Sequence, residues 1–550
     1  MGYAVLWIEN LSVSLLSVAL VTACVGRLHR RWLQLTLWAI TFATVALSLI
    51  SVTLLSGSLA YQHQTWAIKW FVALLALTFS FTIGSLWLRV RGLQRCDDSA
   101  VSIAADWPRG KFGIFLAVAV VLHLMTLWNL DLAARQQLEG LRLEAGLLGQ
   151  SVAPRPVADH DNAAILIQQA SEAMGPEGGW PKAFTEWVNC RANQDDGIIE
   201  RLSPQLQQVL HDWRGVLVLL HEAASKPSYY VDRDYHQPTM NIPLSDLQNI
   251  RYLAVLLALD GQDKAAKGDI RGAIQNINTR LALARHAASE PFAIALLVAA
   301  GIERSALSTL QGLLEHKKVS SGDLATLRIE NRPSYRKLQE RTLRMAEAIQ
   351  LMTFYDIDAG RLSKLLPYIS LDNGQEPRAN HPLLDSAFAF VHRVFLLPGE
   401  LDVSRQLSYK LQEAATKPYD AAKLLWKECQ DKAKFHGGIL LAIFSPTGEA
   451  VGTMLTLADA RRQTARLGVA IYLYAEKNGH LPEKLNDLTP DFILSLPADP
   501  FDDRLMKFKR TDQGIVIYSV GPDMVDDGGS PFDSNRQTGD VIFKVPNGTH

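Results

Sequence analysis

Four apolar runs open the chain, over about residues 3–26, 33–56, 66–88 and 112–130. Each has about the ~20 residues that an α-helix needs to cross the hydrocarbon core of a bilayer. A stretch such as LTLWAITFATVALSLISVTLLSGSLA has no polar face at helical spacing, so the pattern predicts membrane spans rather than half-buried helices of a soluble domain. Cations set the orientation, because Lys and Arg are retained on the cytoplasmic side. The loop RLHRRW holds Arg27, Arg30 and Arg31, and the loop from Arg89 to Lys111 adds Arg91, Arg95 and Arg109, whereas SGSLAYQHQTW between them has neither Lys nor Arg. Both termini are therefore expected outside the cytoplasm, with Trp7, Trp66, Trp70, Trp107 and Trp128 at interfacial depths. VTAC, residues 21–24, fits the small-residue pattern before a lipidated cysteine, but the first 26 residues have no Lys or Arg and include Glu9. A signal peptide starts with a positive segment, so Cys24 reads as an ordinary residue of the first span.

From residue 131 the pattern changes to Ala, Leu, Gln, Glu and Arg at helical spacing, and DLAARQQLEGLRLEAGLL extends the fourth span as a stalk. SVAPRPVADHDN breaks it, since Pro154 and Pro156 exclude a helix interior and Asp161 is placed to cap the next helix. Between residue 160 and about 440 nearly every segment has helical periodicity. PLSDLQNIRYLAVLLALDGQDKAAKGD opens with Ser245 and Gln248 in capping-box spacing and carries an apolar face through Leu247, Ile250, Leu253, Leu256 and Leu257. Gly268-Asp269 starts the next helix, Pro291 sits in the first turn of a third, and RPSYRKLQERTLRMAEAIQLMTFYDI supplies a further long one. Near the end a helix with the stripe Leu457, Ala460, Thr464, Leu467, Ile471, Tyr474 stops at Asn478-Gly479, a short helix covers Glu483 to Leu488, and LMKFKRTDQGIVIYSV reads as a hairpin turning at Asp512 to Gly514. The expected fold class is a multi-domain membrane protein, with four transmembrane helices over 1–130, a stalk and linker over 131–159, an all-α helical array over 160–450 and a small α+β module over 451–550.

Composition sharpens this division. A hydrophobic share of 48% over 550 residues supports large cores or spans, and the net charge of −1 hides a partition in which residues 1–130 carry only Glu9, Asp97, Asp98 and Asp106 as acids. No basic stripe with interleaved aromatics follows, so a nucleic-acid partner is not implied. KPSYYVDRDYHQP, residues 226–238, gathers Tyr229, Tyr230, Asp232, Asp234, Tyr235 and His236 between two helices. Polar aromatics with carboxylates can bind a small molecule; a connecting segment whose tyrosines cover helix ends is the plainer expectation. His160, His211 and His221 lack metal-ligand spacing, and no nucleophile elbow, Walker loop, dinucleotide fingerprint or kinase motif occurs. Cys190 and Cys429 both fall in the exported body, where a disulfide between them and two separate thiols are equally compatible with the sequence.

Two resemblances emerge. AAKGDIRGAIQNINTRLALARHA is similar to one helix-turn-helix unit of a tetratricopeptide repeat, without a second copy at a fixed period. YAEKNGHLP, LPADPF, YSVGPD and the loop ending in GDVIF follow one another as in the globular part of the major pseudopilins of type II secretion systems, which residues 453–545 resemble. That resemblance implies an Asp/Gly loop that binds calcium, with Asp523 and Asp540 at the family's ligand positions and Asp526, Asp527 and Asp533 as additional donors. A pseudopilin has one hydrophobic helix feeding into this module, whereas here the module ends a four-span, helix-rich chain. A membrane-anchored exported scaffold or interaction protein is therefore expected, linked to secretion or cell-envelope assembly, with protein partners. It would sit in a bacterial inner membrane with residues 131–550 on the periplasmic side. The alternative is a small-molecule sensor or enzyme using the 226–238 loop, which would need a pocket lined by Tyr230, Asp232 and His236.

If the arginines govern orientation, reporter fusions after residue 130 are active only outside the cytoplasm and fusions in the 92–108 loop only inside it. The reverse pattern would overturn the domain scheme.

Overall fold

The computed structural model describes residues 109–191, 201–239, 242–316, 319–329, 333–358, 389–390, 392–393, 397–436 and 447–547. The described chain is mostly helical, with one small sheet of three strands. The first three apolar runs lie outside the described residues. The fourth lies within helix α1 (Arg109–Val152), which continues unbroken through the segment expected to form a stalk. The chain divides into two units, one of residues 1–140, 354–404 and 431–443, the other of 141–353, 405–430 and 444–550. In the first, Arg393 holds Asp131 with Nε 2.7 Å from the carboxylate, and His392 meets Glu400 at 3.3 Å in a buried pair.

The second unit carries the candidate sites. α2 (Ala163–Met174) begins at Asn162, whose side chain accepts the Ala164 N–H, one residue beyond the Asp161 cap expected from sequence. α3 (Lys182–Arg191), α4 (Pro204–Asp212) and α5 (Arg214–Ser225) follow, and α4 starts with Ser203 accepting the Leu206 N–H ahead of Pro204. α6 (Ser245–Ala266) has no side-chain cap, so Ser245 and Gln248 do not form the expected box. Gly268 turns the chain at positive φ, and Asp269 caps α7 (Ile270–Ala287) by accepting the Gly272 N–H, as the sequence indicates. α8 (Ala293–His316) packs on α6 and α7. α8 has the length and hydropathy to cross a membrane (mean hydropathy 1.5), but half of its most apolar window is buried. Its Leu296, Ala299, Leu310 and Leu313 lie in the protein core.

α9 (Ser321–Leu324), α10 (Tyr335–Asp358), α11 (Leu397–Thr416) and α12 (Tyr419–His436) precede the long helix α13 (Thr447–Asn478). Gly479 at φ 74° ends α13. Strands β1 (Lys507–Thr511), β2 (Gly514–Ser519) and β3 (Val541–Pro546) form an antiparallel sheet in that order, with Phe508 opposite Ile517 and Ile517 opposite Phe543. Side chains alternate across a strand, so Val541, Phe543 and Val545 all face inward. The inward face meets α13 closely: a Cβ on Gly468 would stand 2.3 Å from the Phe543 ring. Between Leu455 and Glu476 no residue of α13 is exposed. A helix apolar on one side only would leave a wet face; here the sheet and α8 both pack on α13. Leu310 and Leu313 of α8 share one core with Leu467 and Ile471 of α13 and Phe543 of β3. Residues assigned by sequence to an array and to a separate module are thus packed around common side chains. Cys429 is a buried thiol and not half of a disulfide.

One charged group ties this core. Arg462 of α13 sends Nε to Glu303 Oε1 of α8 at 2.6 Å, Nη2 to Glu303 Oε2 at 3.1 Å and Nη1 to Asp459 at 3.2 Å. The Tyr335 hydroxyl donates to Glu303 at 2.6 Å, its backbone N–H donates to Asp459 at 3.0 Å, and the guanidinium lies over its ring at 4.8 Å. Burial pushes the Asp459 carboxyl up to about 6, against the opposing pull of Arg462 and the Tyr335 N–H. Removing one member of a buried pair strands the other charge, at a cost of roughly 3–5 kcal/mol. Arg462→Met is expected to lower unfolding stability by that amount, read from the urea midpoint of the full chain. Adding Glu303→Gln and Asp459→Asn should recover most of the loss, because no charge is then stranded. A single variant as stable as the parent would show that the network does not hold α13 to α8.

Candidate functional sites in the acidic loop and the tyrosine loop

Between β2 and β3 the chain runs through VGPDMVDDGGSPFDSNRQTGD, the loop whose carboxylates suggested a metal. Its start is fixed by Asp499 of the LPADPF segment, which is buried and accepts the Ser519 hydroxyl at 2.7 Å and the Phe501 and Val520 N–H groups at 3.0 and 2.9 Å. Burial raises the Asp499 carboxyl despite those donors. Sequence comparison located this aspartate within its motif but gave it no role; its position between two prolines, clear of any strand, was the available signal.

Asp540 closes the loop. It is fully buried, its Oδ2 accepts the Gly529 N–H at 2.7 Å, and its Oδ1 has no hydrogen-bond partner. Burial raises its pKa first, and the neighbouring Asp526 and Asp527 raise it further, while the Gly529 and Asp527 N–H groups oppose them. Asp523 accepts the Val525 N–H at 3.2 Å with one oxygen and the Gly539 N–H at 3.3 Å with the other, which places it one residue from Asp540 along the backbone. Gly539, at φ 95°, brings its own Cα so near that a Cβ would lie 2.7 Å from the Pro531 carbonyl. Asp526 accepts the Gly528 N–H at 3.1 Å and lies beside Tyr518, whose hydroxyl is pushed up to about 12 by burial and by that carboxylate.

Asp533 accepts the Asn535 N–H at 2.8 Å, faces Arg536 at 3.7 Å and pairs its own N–H with the Thr538 carbonyl at 2.8 Å, so it shapes a local turn. The backbone links Asp523 to Asp540 through Gly539, and the Asp526 and Asp527 charges act on Asp540. Among the described residues no three His, Cys, Asp or Glu side chains converge to hold a metal ion. Calcium takes six to eight oxygens and accepts backbone carbonyls among them. The bare Asp540 Oδ1, next to two like charges, fits one carboxylate ligand of a site completed by the loop backbone.

The tyrosine loop is bonded differently. Tyr229 donates to Asp246 at 2.5 Å, and Arg233 meets Asp246 at 2.6 Å and Glu290 at 3.1 Å. Tyr235 donates to Glu290 at 3.1 Å and stacks on Phe292. Burial is the main reason that both tyrosine hydroxyls and the Glu290 carboxyl are raised. Asn162 receives the Tyr230 N–H at 2.9 Å and returns its own amide to the Tyr230 carbonyl, joining the loop to the start of α2. Tyr230 and Asp232 bond to each other at 3.2 Å, Asp234 caps the turn through the His236 and Gln237 N–H groups, and His236 lies against Gln150. The six residues are thus divided between core pins and surface turn contacts. No family model, curated protein or solved structure matches this chain.

Calcium dependence of stability tests for a cation at Asp540. Calcium at a hundredfold excess over its dissociation constant adds about 2.7 kcal/mol when it binds only the folded chain. The full chain is expected to shift its urea midpoint accordingly between chelator and calcium. Asp540→Asn should abolish the shift. Coincident curves with and without calcium would make the loop a turn without a cation.

Proposed function

We propose that this chain is a membrane-anchored exported scaffold or interaction protein of the bacterial inner membrane. Its four N-terminal spans fix it with residues 131–550 on the periplasmic side. Its helical array carries a pseudopilin-like module that calcium stabilises through the Asp523–Asp540 loop. Secretion or cell-envelope assembly is the process such a body fits, with protein partners.

The observation that carries this proposal is the coverage of α13. A filament subunit needs a free helix face for its neighbours, whereas α13 packs on β2, β3 and α8 and has no exposed residue from Leu455 to Glu476. The module is therefore suited to serve as a fixed part of the array and not as a polymerising unit. The division of the 226–238 residues into core pins and turn contacts supports a structural use of that loop over a catalytic one.

Fractionation tests both halves of the proposal. The full chain should remain with carbonate-washed inner membranes, become sensitive to added protease once the outer membrane is opened, and be lacking from filaments sheared from the cell surface. Recovery in sheared filaments would make it a pilus-type subunit, and recovery in the soluble fraction would remove the anchor.

A further inference from the structure

We propose that a second, unrelated site binds a small organic anion, a carboxylate or a phosphate ester carrying a hydroxyl group, in a cleft of about 430 Å³ beside α7. That volume is within the range of small-molecule pockets. Residues of α5, α7, α8, α13 and the segment 326–329 line it, all within the second unit.

The cleft follows one stripe of α7. Arg271, Gln275, Asn278, Ala282 and Arg285 succeed one another by steps of four and three, the spacing that stacks side chains on one helix face. Two of its arginines set the charge, since among the described residues neither Arg271 nor Arg328 has a carboxylate partner. Glu303, the lining carboxylate, does not balance them, because Arg462 and Tyr335 already engage both of its oxygens. Among the described lining residues positive charge is therefore in surplus, and concave walls concentrate such a field on an entering anion. Guanidinium forks match the paired oxygens of carboxylate and phosphate.

The site is also held in place before any ligand arrives. Asn278 donates to the Thr326 carbonyl at 2.8 Å and accepts the Arg328 N–H at 2.8 Å, which pins the 326–329 segment and with it the backbone of Arg328 at the cleft edge. His221 supplies direction. The Thr279 hydroxyl donates to the Gln275 carbonyl at 3.0 Å, so the 2.8 Å contact between His221 and Thr279 uses an Nδ1–H donor. Burial, followed by the Lys264 charge, lowers the imidazole pKa and favours its neutral form. Its Nε2 is then an acceptor, suited to a ligand hydroxyl, while the arginines take the anionic oxygens.

Titration calorimetry on the full-length protein in detergent at low ionic strength tests the site, with citrate and glucose 6-phosphate as the anionic probes and glucose as the neutral one. One or both anions should bind, with glucose silent; which anion gives heat separates a carboxylate ligand from a phosphate ester. Arg271→Gln and Arg328→Gln should each weaken binding by about tenfold or more, the effect of losing one charge-assisted contact. Asn278→Ala should weaken it with no change in charge, and Lys182→Gln, on α3 outside the cleft lining, should have no effect. Silence with both anions, equal binding of glucose, or unchanged affinity in both arginine variants would overturn the proposal. The calcium dependence of stability is a separate readout, so its failure would leave this result standing.

Discussion

Arg462 sets the terms on which the second unit can exist. A guanidinium without solvent requires carboxylates, and Glu303 and Asp459 supply them from a neighbouring helix and from its own. Each carboxylate then needs further donors, and Tyr335 provides its hydroxyl to one and its backbone N–H to the other. Four polar residues thus fix the mutual positions of α8, α10 and α13. Such a network is worth little in net stability compared with apolar packing, but it is costly to break, so it specifies the arrangement. The close seat of the sheet at Gly468 depends on α13 being held in that place.

The same economy of partners appears at both loops. Arg233 gathers Asp246 and Glu290, with Tyr229 and Tyr235 completing the set, and a segment with ligand-binding composition becomes a structural clasp. Asp499 is satisfied by three donors and holds the acidic loop at its root. Asp540 and Glu290 each have one oxygen bonded and the other without a hydrogen-bond partner. The Glu290 charge is met by Arg233, whereas Asp540 lies beside Asp526 and Asp527, where a cation would have something to contribute.

Much of the framework was legible in the sequence, since its signals are local. Gly268-Asp269, Asn478-Gly479 and the turn at residues 512–514 stop or start elements where the sequence placed them, because positive φ and capping depend on residues within one turn. The caps at Asp161 and at Ser245 with Gln248 were misplaced for the opposite reason. A capping side chain has alternatives, and the segment joining 161–163 to 228–230 gave the role to Asn162.

The acidic loop shows where local inference stops. Five aspartates within eighteen residues were evident from sequence, but which of them meet was not, because the path of a glycine-rich loop is set by contacts from outside it. The sequence by itself determined the apolar runs, the helical character of the body, the hairpin and the identity of the carboxylates. Only the tertiary structure decided that α13 shares a core with α8, that Asp533 bonds within a local turn, that Cys429 is a thiol, and that arginines from separate segments line one cleft. The reason is range: periodicity and turn chemistry act over a few neighbouring residues, whereas the pairing of Arg462 with Glu303, 159 positions away, exists only once the chain has closed around them.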